Sequence, residues 1–131
     1  MIINIGTDLH DIRDFERDFK KYRGAFTADE IELCDSREER MAAYAKRFVS
    51  KEAMIKALGA NDVKGGVRLR EIEVVLTKSG RPTLRLWGGA LRQFKAITPV
   101  GMVCFAHLTI SDCFPMAHAD VIIEARDATT R

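Results

Sequence analysis

Cysteine is scarce in this chain and badly spaced for metal. The three present, Cys34, Cys104 and Cys113, fall in no zinc-ligand pattern, and an odd number argues against a disulfide framework. Reduced thiols in a cytoplasm are the expectation. An excess of one charge is missing too. The formal net charge is +2, too small to argue for nucleic acid as a partner. No apolar run approaches a membrane span. Met1-Ile2-Ile3-Asn4 lacks a basic start and Asp8 interrupts the apolar beginning, so no signal peptide is expected. There is no internal repeat, no Gly-rich phosphate fingerprint, no zinc motif and no nucleophile elbow.

What is present is the composition of a globular domain: 131 residues, 47% hydrophobic and 31% charged. One domain over 1–131 is expected, with 126–131 as a frayed tail. Ile2 to Thr7 alternates like a short strand that ends at Gly6-Thr7-Asp8, with Asp8 just past its end as a helix cap or a ligand. Asp11 to Tyr22 has the period of an amphipathic helix, with Ile12, Phe15, Phe19 and Tyr22 on its apolar side. Arg13, Arg17, Lys20 and Lys21 flank it. Thr27-Ala28-Asp29-Glu30 is a capping box opening a short helix, and Ser36-Arg37-Glu38-Glu39 a second one opening a long helix that Gly59 stops. Asn61 to Val67 is a loop with two adjacent glycines. Arg70 to Thr77 and Thr83 to Trp87 form a hairpin about Lys78–Pro82. A short helix follows Gly88-Gly89. Met102 to Ser111 and Met116 to Glu124 read as an antiparallel pair. The fold class is α+β, with helices, one of them long and central, packed on a mainly antiparallel sheet.

The long helix carries an anomaly. Met41, Ala45, Phe48, Glu52 and Ile55 fall on one face, so Glu52 is a carboxylate in an apolar stripe. Such a group is costly unless paired, hydrogen-bonded or bound to a cation. Lys56, four residues on, is one possible partner. Arg47 and Lys51 form a second, basic row. Asp8, Glu52, Lys56, Arg47, Lys51, His107 and Asp112 are the residues that could carry chemistry, although a strand histidine such as His107 is by default structural. Two carboxylates with nearby cations fit Mg²⁺ chemistry on a phosphate ester, because Mg²⁺ takes one or two carboxylates and completes its six oxygens with water and phosphate.

Three blocks occur in order: I-G-T-D-L at 5–9, K-R-F-V-S-K-E-A-M-I-K-A-L-G at 46–59, and H-L-T-I-S-D at 107–112 followed by A-D-V-I-I-E at 119–124. With G-R-P-T-L-R-L-W-G at 80–88, they resemble the small type of 4′-phosphopantetheinyl transferase, the holo-acyl-carrier-protein synthases. The resemblance implies that family's fold and its reaction. That reaction transfers 4′-phosphopantetheine from coenzyme A to a serine of an acyl carrier protein and releases adenosine 3′,5′-bisphosphate. It implies Mg²⁺ on Asp8 and Glu52, Lys56 beside the reacting phosphate, and a coenzyme A site at Arg47, Phe48, Lys51, Lys56, Gly59 and Asp112. It also implies a homotrimer with active sites between subunits, supported by Arg85, Trp87 and the last strands. The acidic helix of the carrier would dock on Arg13, Arg17, Lys20 and Lys21. Two positions depart from many relatives: Asp14 stands where a basic residue is common, and Asp112 where a second histidine is common. A binding module for coenzyme A or carrier protein, without chemistry, is the alternative reading.

Overall fold

Pairing with the C-terminal strand draws the first strand out well beyond its expected end. The computed structural model of the chain describes residues 1–59 and 66–129. In it β1 spans Ile2–Asp11 and stays in antiparallel register with β5 (Met116–Asp127) as far as Asp11 opposite Met116. The turn signal in Gly6-Thr7-Asp8 is overridden by this ladder. Asp8 therefore sits inside the strand, opposite Ala119. Asp11, not Asp8, caps the next helix, accepting from the Arg13 backbone N–H at 2.8 Å. β5 also pairs antiparallel with β4 (Met102–Cys113), giving a three-stranded sheet in the order β1-β5-β4. β5 runs on through Arg126 and Asp127, opposite Val103 and Met102, so the ordered chain reaches past the start of the expected tail.

The expected helix over 11–22 divides. Helix α1 covers Ile12–Arg17 and α2 Phe19–Tyr22, followed by a 3₁₀ turn at Arg23–Ala25. Asp18 leaves the helical region at the break, where its backbone N–H still reaches Asp14 O; aspartate is a weak helix former. Helix α3, Ala28–Asp35, opens on the Thr27–Glu30 capping box as expected. The second capping box does not form. Ser36 donates its hydroxyl to Leu33 O at 2.6 Å and so finishes α3 instead of starting its neighbour. Helix α4 begins at Arg40 and runs to Ala57, with Gly59 at a φ of +68° just beyond.

A 3₁₀ turn at Leu69–Glu71 leads to β2 (Ile72–Leu76) and β3 (Pro82–Leu86), which pair as the expected hairpin but form a separate two-stranded sheet. Helix α5 covers Gly88–Ala96. The two-glycine loop expected over Asn61–Val67 lies outside the described residues, apart from Gly66 and Val67.

Helix α4 lies across β1 and β5, and small residues make the approach close. Ala117, Ala119, Val121, Ile123 and Ala125 alternate along the inner face of β5, while Ala45, Ala53 and Ala57 face them from α4; all are buried. Gly6 is the tightest point. A Cβ added there would stand 2.0 Å from Ala53 O and 2.7 Å from Ala57 N. Because side chains alternate along a strand, the residue that follows Gly6 on the same face is Asp8. The close crossing therefore carries Asp8 to the C-terminal half of α4. On the other side of the sheet, Ile5, Leu9, Val103, Phe105 and Ile122 are exposed.

Candidate active site

The site forms where β1 crosses α4. Lys56 Nζ donates to Asp8 Oδ1 at 3.0 Å and to Thr7 O at 2.9 Å. Sequence spacing offered Glu52 as the partner of Lys56, but the ammonium goes to the strand instead. Glu52 is half-buried one turn earlier on the helix. Among the described residues its carboxylate makes no hydrogen bond or ion pair. Its pKa is raised, first by burial and then by the negative charge of Asp8, while Lys56 and His10 pull the other way. A half-buried carboxylate with no partner among the described residues, standing beside a second carboxylate, is a donor set that a divalent cation would relieve. Asp8 and Glu52 thus fit Mg²⁺ in number and chemistry.

A cleft opens at Asp8 and Lys56, and a second cleft adjoins it at Asp112. One, of about 730 Å³, is lined by Thr7, Asp8, Leu9, Lys56, Ser111, Asp112, Cys113, Met116 and His118. The other, of about 510 Å³, runs between the start of α4 and the β2–β3 hairpin, with Arg37, Lys46, Arg47, Gly80 and Pro82 in its wall. Both are of a size that takes small ligands. Asp112 lines both. Arg47 is 6% exposed; its guanidinium donates to Ala43 O at 3.1 Å, and its Nε is buried without a partner among the described residues. An orphaned buried donor of this kind suits an anion.

Other expected residues stand elsewhere. The Lys51 side chain is fully buried. Its ammonium donates to Ala25 O at 2.7 Å and forms an ion pair with the buried carboxylate of Glu30. Burial lowers its pKa and the Glu30 charge opposes that. Lys51 therefore ties α4 to α3 and the 3₁₀ turn at residues 23–25; it does not face a cleft. Glu30 in turn accepts from the backbone N–H groups of Thr27 and Val74, at 3.0 and 2.9 Å. Phe48 belongs to an aromatic cluster, its ring centroid 5.8 Å from His10, 5.4 Å from Phe15 and 4.7 Å from Tyr22. Gly59 ends α4 and touches neither cleft. His107 lies on the outer face of the sheet, 2.9 Å from Glu124. Arg85 stacks over the half-exposed Trp87, 5.9 Å from its ring centroid. Arg13 is paired with Asp11, and Arg17 with Asp14 and Asp18.

Lys46 and Arg37 are cleft cations that the sequence did not single out. Lys46 adjoins Arg47 in the basic stretch of α4, which was the available signal. Arg37 lay in an expected capping box and gave none.

A strand carboxylate paired with a helical Lys, a helical Glu one turn away and an adjoining cleft with three cations in its wall make a site whose chemistry suits a phosphate ligand. Residues 4–101 match the sequence model of the 4′-phosphopantetheinyl transferase superfamily. The chain is 45% identical over 130 residues to a holo-[acyl-carrier-protein] synthase of Brucella ovis, covering 95% of this chain and 96% of that one. The fold is similar to the crystal structure of holo-[acyl-carrier-protein] synthase from Neisseria meningitidis, at a TM-score of 0.80 and 26% identity over 95% of this chain and 99% of that one. It is also similar to the Bacillus anthracis holo-(acyl-carrier-protein) synthase in complex with CoA (3′,5′-ADP). There the TM-score is 0.74 and the identity 26%, with 95 and 97% covered. The chain belongs to the 4′-phosphopantetheinyl transferase superfamily and is an enzyme of the holo-[acyl-carrier-protein] synthase type.

Proposed function

We propose that the chain transfers 4′-phosphopantetheine from coenzyme A to a serine hydroxyl of an apo acyl carrier protein, with Mg²⁺ held by Asp8 and Glu52, and releases adenosine 3′,5′-bisphosphate. The observation that carries this reading is the meeting of Asp8, Glu52 and Lys56 where β1 crosses α4, with Asp8 and Lys56 in the wall of a cleft that shares Asp112 with the cation-bearing one. Coenzyme A is elongated and its pyrophosphate lies between the nucleotide and the pantetheine arm. The nucleotide end fits the cleft of Arg37, Lys46 and Arg47, and the pyrophosphate then falls beside Asp112, Asp8 and Lys56. Bound at Asp8 and Glu52, the ion supplies charge neutralisation at the attacked phosphate. Lys56 is already within 3.0 Å of Asp8. Its ammonium stabilises charge that builds on the phosphate oxygens, an interaction that strengthens toward the transition state. Arg47 anchors the nucleotide part through its orphaned Nε and contributes binding more than rate.

The exposed apolar outer face of the three-stranded sheet, with Ile5, Leu9, Phe105 and Ile122, supports a homotrimer in which this face is covered. The carrier docks on the basic flank of α1 and α2. Arg13 and Arg17 are already paired internally, so Lys20 and Lys21 carry more of that contact. Among the described residues no helix is long and apolar enough to cross a membrane, and the setting proposed for the reaction is the cytoplasm.

The test is direct. With coenzyme A, Mg²⁺ and an apo acyl carrier protein, the carrier should gain one phosphopantetheine, roughly 340 Da by mass spectrometry, in a metal-dependent reaction. No gain with any of several carriers would refute the reading. Glu52→Gln should remove the Mg²⁺ dependence along with most of the turnover while the circular dichroism spectrum stays unchanged.

A further inference from the structure

Lys46 is the one cation of the nucleotide cleft that a carboxylate already holds, among the described residues. That cleft is lined by three cations, Arg37, Lys46 and Arg47, and three carboxylates, Glu38, Glu39 and Asp112. Arg37 and Arg47 make no ion pair with a described residue, whereas Lys46 Nζ lies 3.7 Å from Asp112 Oδ1. The pair is loose. At that distance it is an ion pair without a good hydrogen bond, and its two side chains are 33% and 41% exposed. The fold has little use for it, since α4 and β4 are each fixed by their own ladders and by the core beneath them. Among the described residues Asp112 is also the one that lines both clefts, so its charge stands where a donor spanning the two would carry its phosphates.

We propose that Asp112 is a competing anion for Lys46: the donor's phosphate draws the Lys46 ammonium away from Asp112, and Asp112 recaptures it as the nucleotide product leaves. This rests on the coenzyme A reading given above. The device loosens donor and product alike, because a ligand must first break a pair the free enzyme has made. It sets binding and release without touching the chemical step. The competition can weaken binding by no more than the pair itself is worth. For an exposed pair that is up to about fivefold in an equilibrium constant.

The experiment measures binding of adenosine 3′,5′-bisphosphate to the full chain by calorimetry, together with KM for coenzyme A and the dissociation rate of the bisphosphate. Asp112→Asn should tighten the bisphosphate about threefold and slow its release by a similar factor. Asp112→Glu, which keeps the negative charge, should not give the tightening that Asp112→Asn gives. Lys46→Met should weaken binding about fivefold to tenfold, as expected for loss of a charge-assisted contact at a wet site. In the Lys46→Met background the Asp112→Asn gain should shrink by more than half in free energy. Weaker binding after Asp112→Asn would make Asp112 a direct ligand contact and overturn the proposal. An equal gain in both backgrounds would reduce it to general repulsion and overturn it as well. A parent enzyme that neither binds the bisphosphate nor uses coenzyme A would remove the donor reading and this proposal together, whereas normal binding with no effect of Asp112→Asn would remove the competition alone.

Discussion

Lys51→Met separates a structural lysine from a ligand-binding one. The ammonium has no exposed surface and is held by Ala25 O at 2.7 Å, Leu69 O at 3.3 Å and the Glu30 carboxylate. Methionine keeps most of the side-chain volume, so the packing around α4 changes little. What is lost is the countercharge. Glu30 is 2% exposed and would keep only its two backbone donors, Thr27 and Val74. Removing one member of a buried pair costs about 3–5 kcal/mol. For a domain of this size that is a fall in Tm of roughly 10–20 °C. Urea unfolding followed by circular dichroism, at one fixed protein concentration because assembly shifts apparent stability, should show the loss in the midpoint. Lys51→Met/Glu30→Gln should lose less than the sum of the two single substitutions, since the second removes the stranded charge. KM for coenzyme A, measured well below the transition, should move less than about twofold, because uniform binding energy is lost only where a group touches the ligand. A raised KM with an unchanged unfolding midpoint would put the ammonium in the donor site and refute this assignment.

Gly6→Ala drives a methyl into the α4 backbone, 2.0 Å from Ala53 O, and neither partner is a flexible side-chain end. It should cost about 2–4 kcal/mol by overpacking and depress turnover in the surviving folded fraction, because α4 carries Glu52 and Lys56 away from Asp8; full activity in that fraction would mean the crossing does not set the site. Arg47→Met should raise KM for coenzyme A about tenfold with kcat within a factor of two, read from initial rates; a fall confined to kcat would move Arg47 to the chemistry. Burial pushes the Cys34 thiol up from an ordinary 9.0 to about 11, and burial with the Asp35 hydrogen bond pushes Tyr44 from 10.0 to about 12. Both groups ionise earlier in the unfolded chain, so the stability they hold is complete below pH 9 and is lost as pH rises toward those folded values; an unfolding midpoint flat from pH 8 to 11 would contradict this. Alkylation of the native protein should modify the exposed Cys113 and spare the buried Cys34 and Cys104, which peptide mass mapping reads directly.

Several local rules held. The Thr27–Glu30 capping box, the Gly59 stop, the hairpin after Leu76 and the antiparallel β4–β5 pair all formed as their residues suggest. Tertiary pairing overrode local signals elsewhere. Gly6-Thr7-Asp8 looks like a strand end, yet the β5 ladder carries β1 on to Asp11. At Ser36 the competitor was itself local: the residue has the chemistry of an N-cap, but the carbonyl of Leu33, three residues back, takes its hydroxyl.

The sequence by itself determined the chemistry available to this protein. It named a carboxylate on an apolar helix face, a second carboxylate near the start of the chain, and a basic stretch between them in an order that resembles one transferase family. Residue type and spacing suffice for that, because 3.6-residue periodicity is a local property. Only the tertiary structure decided which of those groups work together. Lys56 could have neutralised Glu52 on its own helix but reaches across to Asp8. Lys51 reads like Arg47 in the sequence, yet the core takes one and a cleft the other. Lys46 meets Asp112 from 66 residues away. These are differences in burial and in long-range distance, and both depend on how α4 lands on the sheet: a placement set by Gly6 and by the small residues that let helix and strand approach.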